Sequence, residues 1–274
     1  MHLGNILSFA ITAALAQKTG AKVLLRIDDL DQARADEVYI RDIFDSLTFL
    51  GIHWDEGPNS PEEFQKTYSQ KHRLGLYSAA LQQLADEDQV YACLCSRKKI
   101  ASVGTCSCMQ QQIPLDAENA SWRLKTITDR TLSVKIYNGL HLPAVLPAEM
   151  RNFIVKKKDG FPAYQLTSVM DDLFYAVDLI VRGDDLWPST LAQIELSFVM
   201  RRAEFRENHF FHHPLLLSES GDKLSKSAGA TSINYLRQHG HSPADIWESV
   251  GKTSGINHRI ATCAQFTEAW LSLL

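Results

Sequence analysis

His2, Gly4 and Asn5 stand at the entry to an apolar stretch that reads as a helix. Open amides and the positive end of a helix attract phosphate, glycine permits close approach, and histidine can donate to the anion. Taken alone, the pattern equally fits a histidine and a glycine that merely begin a helix. Far downstream, Lys223-Leu224-Ser225-Lys226-Ser227 puts two lysines and two serines in a polar segment. Such a segment is suited to hold a polyphosphate while charge builds on its bridging oxygens, although a solvated basic loop has the same composition. A third constellation is Cys93-x-Cys95 followed, ten residues on, by Cys106-x-Cys108. Four thiolates gathered by two short turns complete a tetrahedral Zn²⁺ shell, whereas a Cys-x-Cys disulfide is strained, so a structural zinc site is expected. Cys263 reads as an ordinary buried thiol.

The elements that would carry these residues follow from periodicity and capping. Residues 5–19 form a first helix, stopped at Gly20. Val23 to Ile27 is a short aliphatic run that suits a strand buried on both faces of a parallel sheet, and it ends at Asp28, Asp29 and Asp31. Ile40, Ile43, Phe44, Leu47 and Leu50 recur at helical spacing before Gly51. Ser60-Pro61-Glu62-Glu63 carries the marks of a helix start, and that third helix is expected to run to about Ala85. From Val90 to about Asp116 the helical period is lost, as in a small module held by metal rather than by a core. Residues 132–137 and 153–156 read as strands, with Asp159-Gly160 as a tight turn after the second. Val177 to Val181 is another strand, Ser189 a helix cap, and Pro214 to Leu217 a last strand before the polar loop and a helical tail. Helices alternating with strands indicate an α/β protein.

Composition narrows the class. The chain has 274 residues, of which 45% are hydrophobic and 22% charged, as in a folded globular protein. A balance of 28 Lys and Arg against 32 Asp and Glu argues against a general nucleic-acid coat but allows a local basic face. The runs Arg97-Lys98-Lys99 and Lys156-Lys157-Lys158 are candidates for phosphate contacts, or simply solvated faces. No apolar run approaches the ~20 residues of a membrane span. Ile6 to Ala16 resembles the core of a signal peptide but lacks a preceding Lys or Arg, so a cytoplasmic protein is expected.

The His2-x-Gly4 and Lys223-Leu224-Ser225-Lys226-Ser227 pair resembles the two ATP motifs of class I aminoacyl-tRNA synthetases. Leu25 to Arg34 and Gly51 to Pro58 are similar to the glutamyl-tRNA synthetase pattern. Lys158-Asp159-Gly160, Ala163 to Leu166, Val169 to Asp172 and Ile180 to Leu186 look most like its short branch, the glutamyl-Q tRNA(Asp) synthetases. The resemblance implies a Rossmann-type parallel-sheet catalytic domain with a small zinc-binding insertion. It implies activation of L-glutamate by ATP with Mg²⁺, and transfer of glutamate to queuosine in the anticodon stem-loop of tRNA(Asp). It assigns His2 and Lys226 to catalysis, with Gly4, Asn5 and Lys223 joining them around ATP. Asp28, Tyr164 and Arg182 would bind glutamate, the guanidinium pairing a carboxylate in a bidentate fork.

Two departures accompany the resemblance. The family has Glu where this chain has Asp28, one methylene shorter, which bears on selectivity for glutamate. Family members also carry a strand and loop ahead of the His-x-Gly element, so a first strand is expected to be missing here. With 47 residues after Ser227, no room is expected for a helical anticodon-binding region. The expected organisation is a first catalytic half at 1–89, the zinc insertion at 90–120, the rest of the catalytic domain at 121–227, and a helical tail at 228–274. A monomer is expected. The alternatives are a catalytic fragment of a glutamyl-tRNA synthetase charging tRNA(Glu), and an inactive zinc- and RNA-binding module.

Overall fold

The computed structural model describes residues 1–30, 36–96, 100, 106–216 and 232–274. Helix α1 spans Leu3–Thr19 and ends where Gly20 takes up a left-handed φ of 70°. Helix α2 (Glu37–Leu50) starts on Asp36, whose side chain accepts from the Val38 amide, and stops at Gly51 in the same left-handed conformation. Ser60 caps α3 (Pro61–Glu63) by accepting from the Glu63 amide.

The long third helix expected from the sequence is broken. After α3 come a π-helical turn (Phe64–Tyr68) and a 3₁₀ turn (Gln70–Arg73), and only then α4 (Leu74–Asp86). The break is fixed from outside the helix. Buried Asp29 accepts from the Ser69 hydroxyl and, at 2.8 Å, from the Gln70 amide, while Gln70 Oε1 accepts from the Leu30 amide at 3.2 Å.

The strands are β1 (Val90–Cys93), β2 (Ser121–Leu124), β3 (Thr131–Lys135), β4 (His141–Val145), β5 (Ile154–Lys156), β6 (Leu179–Gly183) and β7 (His209–His213). A three-stranded sheet has the order β1-β2-β5, with antiparallel pairing. β3 and β4 form an antiparallel hairpin, and β6 pairs with β7. Residues 23–27 were expected to be a full strand but make a single parallel bridge, Leu24 to Glu56, closed by Leu25 N–H donating to the Glu56 carbonyl. The last strand is also earlier than the 214–217 expected, because Pro214 has no amide for a ladder. The Asp159-Gly160 turn forms as anticipated, with Lys157 N–H on the Phe161 carbonyl at 2.8 Å.

Helix α5 (Tyr164–Phe174) packs on α6 (Trp187–Val199). Ser189 does not cap α6, which begins at Trp187 with Pro188 in its first turn; the Ser189 hydroxyl instead accepts from Gln165 Nε2 at 3.1 Å. Short α7 (Ala203–Arg206) precedes β7. Helices α8 (Ile233–Gln238), α9 (Pro243–Thr253) and α10 (Cys263–Leu271) complete the chain.

The chain divides into two compact units. One comprises Met1–His72, Val181–Asp184 and His212–Leu274; the other comprises Arg73–Ile180 and Asp185–Phe211. The core of the first is α1, buried at Ile6, Leu7, Ala10, Ile11 and Leu15, with α9 and α10 packed on it. The core of the second joins α4, α5 and α6 to the hairpin residues Leu132 and Val134. No helix among the described residues is long and apolar enough to cross a membrane.

Candidate functional site

His2 is the extended residue that caps α1, with φ −127° and ψ 167°. Its amide donates to Asn5 Oδ1 at 3.2 Å, and the Asn5 and Ile6 amides turn back onto its carbonyl. The Leu3 and Gly4 amides are thereby left at the open helix end, where the dipole favours an anion. The His2 ring lies against Gly4: a Cβ at that glycine would sit 3.1 Å from His2 Cε1 and 3.2 Å from Nδ1. The imidazole thus packs over the Gly4 position, and Asn5 serves the helix end through its side-chain oxygen.

One turn further along the same face, Ser8 Oγ lies 2.8 Å from His213 Nε2, and His213 Nδ1 lies 2.9 Å from the Pro214 carbonyl oxygen. On the other side of residues 217–231, Ser232 bridges to His2 and the Ile233 amide donates to the Met1 carbonyl at 2.8 Å. Lys223 and Lys226 lie outside the described residues. The residues flanking their segment are both fastened to the first turns of α1.

Asp28 and Asp29, adjacent in sequence, separate in the structure. Asp29 is the buried staple described above, and Asp28 pairs with Arg26 (Nε to Oδ1, 2.9 Å) and accepts from Gln70 Nε2 at 3.5 Å. Arg182 is buried on β6. His212 on β7 is depressed to about 4, first by burial and then by the charges of Arg182 and His213, so the imidazole beside that guanidinium is neutral at pH 7. Tyr164 belongs to the second unit, where it is the first residue of α5 and 45% exposed. Nothing in its sequence context distinguished a helix start from a sheet position.

In the second unit the four clustered thiols converge. Their Sγ atoms all lie within 4.8 Å of one another, with Cys93–Cys106 at 3.5 Å, Cys95–Cys108 at 3.6 Å and Cys95–Cys106 at 3.7 Å. A tetrahedral ion with Zn–S bonds of about 2.3 Å requires sulfur separations of about 3.8 Å, so the cage has the size of a ZnS₄ centre. The fit is chemical as well. Among the described residues, the apolar cluster around the cage is small, with Tyr91, Met109 and Ile113 packed about the thiols, as expected of a module held by metal. Burial pushes the Cys106 thiol up to about 12. At Cys108 burial acts in the same sense but is outweighed by the Leu94 backbone and the neighbouring thiols, which bring it down to about 7. Cys263 opens α10 with its thiol raised, chiefly by burial.

Each lysine of the 156–158 run has an intramolecular partner. Lys156 Nζ sits 4.2 Å from the Trp122 ring centroid, Lys157 pairs with Asp159 at 3.0 Å, and Lys158 donates to the Leu94 carbonyl at 2.8 Å. Arg97, Lys98 and Lys99 lie outside the described residues. Sequence reasoning missed Ser8, His212 and His213, whose partners are distant in the chain.

Residues 1–268 match the family described as tRNA synthetases class I (E and Q), catalytic domain. The chain is 29% identical over 266 residues to glutamate–tRNA ligase 2 of Acidithiobacillus ferrooxidans, covering 90% of this chain and 54% of that protein. It is 30% identical to the glutamate–tRNA ligase of Dehalococcoides mccartyi, covering 88% of this chain and 51% of the relative. It thus spans about half the length of these curated relatives. A crystal structure of a glutamate tRNA ligase from Elizabethkingia meningosepticum, in complex with its amino acid, is similar with a TM-score of 0.72. That likeness covers 98% of this chain and 62% of the other at 19% identity, and shows the fold.

Proposed function

From the premise that this chain belongs to the catalytic-domain family of the class I (E and Q) tRNA synthetases, we propose that it activates L-glutamate with ATP and transfers the glutamyl group to queuosine in the anticodon stem-loop of tRNA(Asp). In the first step a glutamate carboxylate oxygen bonds to the α-phosphorus of ATP as the bond to the departing pyrophosphate breaks. Catalysis of such a step is orientation plus neutralisation of growing charge. His2, Gly4 and Asn5 at the open end of α1, with Lys223 and Lys226, hold the triphosphate, and Mg²⁺ accompanies it. Asp28 takes the amino group of glutamate, while Tyr164 and Arg182 take the rest. Cys93, Cys95, Cys106 and Cys108 hold one structural zinc.

The observation that carries this reading is where the described residues on either side of the lysine segment are held. His213 on its near side bonds to Ser8 of α1, and Ser232 on its far side bridges to His2, the residue that caps α1. That arrangement supports a single phosphate site built from two motifs more than two hundred residues apart. The finer assignment to queuosine rests on the sequence likeness over 158–160, 163–166, 169–172 and 180–186. A second reading is charging of tRNA(Glu), favoured by the relatives, which are glutamate–tRNA ligases.

Labelled glutamate offered with queuosine-containing tRNA(Asp) and, separately, with tRNA(Glu) discriminates the two. The proposal expects label on tRNA(Asp) alone and glutamate-dependent pyrophosphate exchange without any tRNA. Label on tRNA(Glu), with exchange only when tRNA is present, establishes the second reading instead.

A further inference from the structure

β7 presents two consecutive histidines to different partners, as alternating positions of a strand must. His212 faces Arg182 on β6, and His213 reaches Ser8 on α1. The His213 ring is held from both of its nitrogens. Nδ1 lies 2.9 Å from the Pro214 carbonyl oxygen, which can only accept, so Nδ1 carries the proton. Nε2 on the opposite side of the ring lies 2.8 Å from Ser8 Oγ. The ring is buried and fixed at both nitrogens.

Ser8 stands four residues after Gly4, on the same face of α1 and one turn below it, with its hydroxyl donating to the Gly4 carbonyl oxygen at 3.3 Å. The bond from His213 therefore meets α1 directly beneath the glycine that the His2 ring covers. Through β7 it also reaches the strand edge that carries Arg182.

Resting on the glutamate-activation reading above, we infer that His213 is a positioning residue which, through Ser8, fixes the open end of α1 relative to the β6–β7 edge bearing Arg182. In-line attack demands that the carboxylate and the α-phosphorus be aligned, and displacements near 1 Å are costly in rate. Neither Ser8 nor His213 needs to touch a substrate to exert this control.

Ser8→Ala tests the inference without endangering the fold, since alanine is the strongest helix former. Ser8→Thr keeps the hydroxyl, and His213→Gln keeps a hydrogen-bonding group near the Nε2 position. With the full chain, pyrophosphate exchange is measured while ATP and glutamate are titrated separately, alongside thermal unfolding. Ser8→Ala is expected to lose about tenfold in kcat/KM for ATP, about 1.4 kcal/mol, with the KM for glutamate within twofold of wild type. Ser8→Thr is expected to stay within threefold, and His213→Gln to fall between the two. An Ala variant within twofold of wild type, or a loss that Thr does not restore, overturns the inference. A wild type without glutamate-dependent exchange overturns the functional reading, and ATP binding by calorimetry then still reads the inference. Tenfold weaker ATP binding by Ser8→Ala upholds it; equal binding, or none by the wild type, overturns it.

Discussion

Asp171 lies wholly out of solvent on α5 and gathers donors from two elements. Arg73 reaches it in a fork, Nε to Oδ1 at 2.7 Å and Nη2 to Oδ2 at 3.1 Å, while the Tyr77 hydroxyl donates to Oδ1 at 2.6 Å. The guanidinium also donates to the Tyr175 hydroxyl at 3.0 Å. Removing one member of such a pair strands a charge in the interior, so Asp171→Ala is expected to cost about 3–5 kcal/mol in urea unfolding. His212 makes a prediction of a different kind. Its pKa is depressed on folding, from the ordinary 6.5 to about 4, so the unfolded chain binds the extra proton between those values. Stability from this group is full above about pH 6.5 and declines as pH falls toward 4. His212→Gln should flatten that part of the profile, as read from urea midpoints at pH 7.5, 6 and 5.

Among the elements, the link between residues 23–27 and the loop at Glu56 depends on Gly57. Its φ is 104°, and a Cβ there would lie 2.3 Å from the Leu25 carbonyl oxygen, beside the amide that bonds Glu56. Gly57→Ala therefore combines a strained backbone with a backbone clash, and a loss on the order of 2–4 kcal/mol in the unfolding midpoint is expected. Elements decided by local chemistry were legible in the sequence: Gly20 and Gly51 end their helices, and Ser60 starts one. Those decided at a distance were not. The helical period runs unbroken through Ser69, and only Asp29, forty residues earlier, breaks it. β7 hid because His209-Phe210-Phe211-His212-His213 is less strand-like on its face than the aliphatic run after it. The candidate site divides the same way. His2, Gly4, Asp28 and the four clustered cysteines stand out by type and spacing, whereas Ser8 and His213, 205 positions apart, carry no signal of their partnership.

At the scale of the whole molecule, the two units differ in what holds them. The second contains the thiol cage, which on the zinc reading holds its stretch in order, so the purified chain is expected to carry about one zinc by metal analysis. Cys106→Ser should lower that content severalfold, and chelation should raise amide exchange over residues 90–93 and 106–113. Protein purified without added zinc that retains full protection there while metal-free refutes the site. In the first unit α1 is enclosed by apolar residues of α9 and α10, and Trp247 from α9 donates to the Leu50 carbonyl at 3.0 Å. Helix α1 is thus covered by helices that follow it by more than two hundred residues. At about 5–20 residues per second, roughly 10–50 s of synthesis separate α1 from α9 and α10, and throughout that interval α1 keeps an oily flank bare to chaperones and to neighbouring nascent chains.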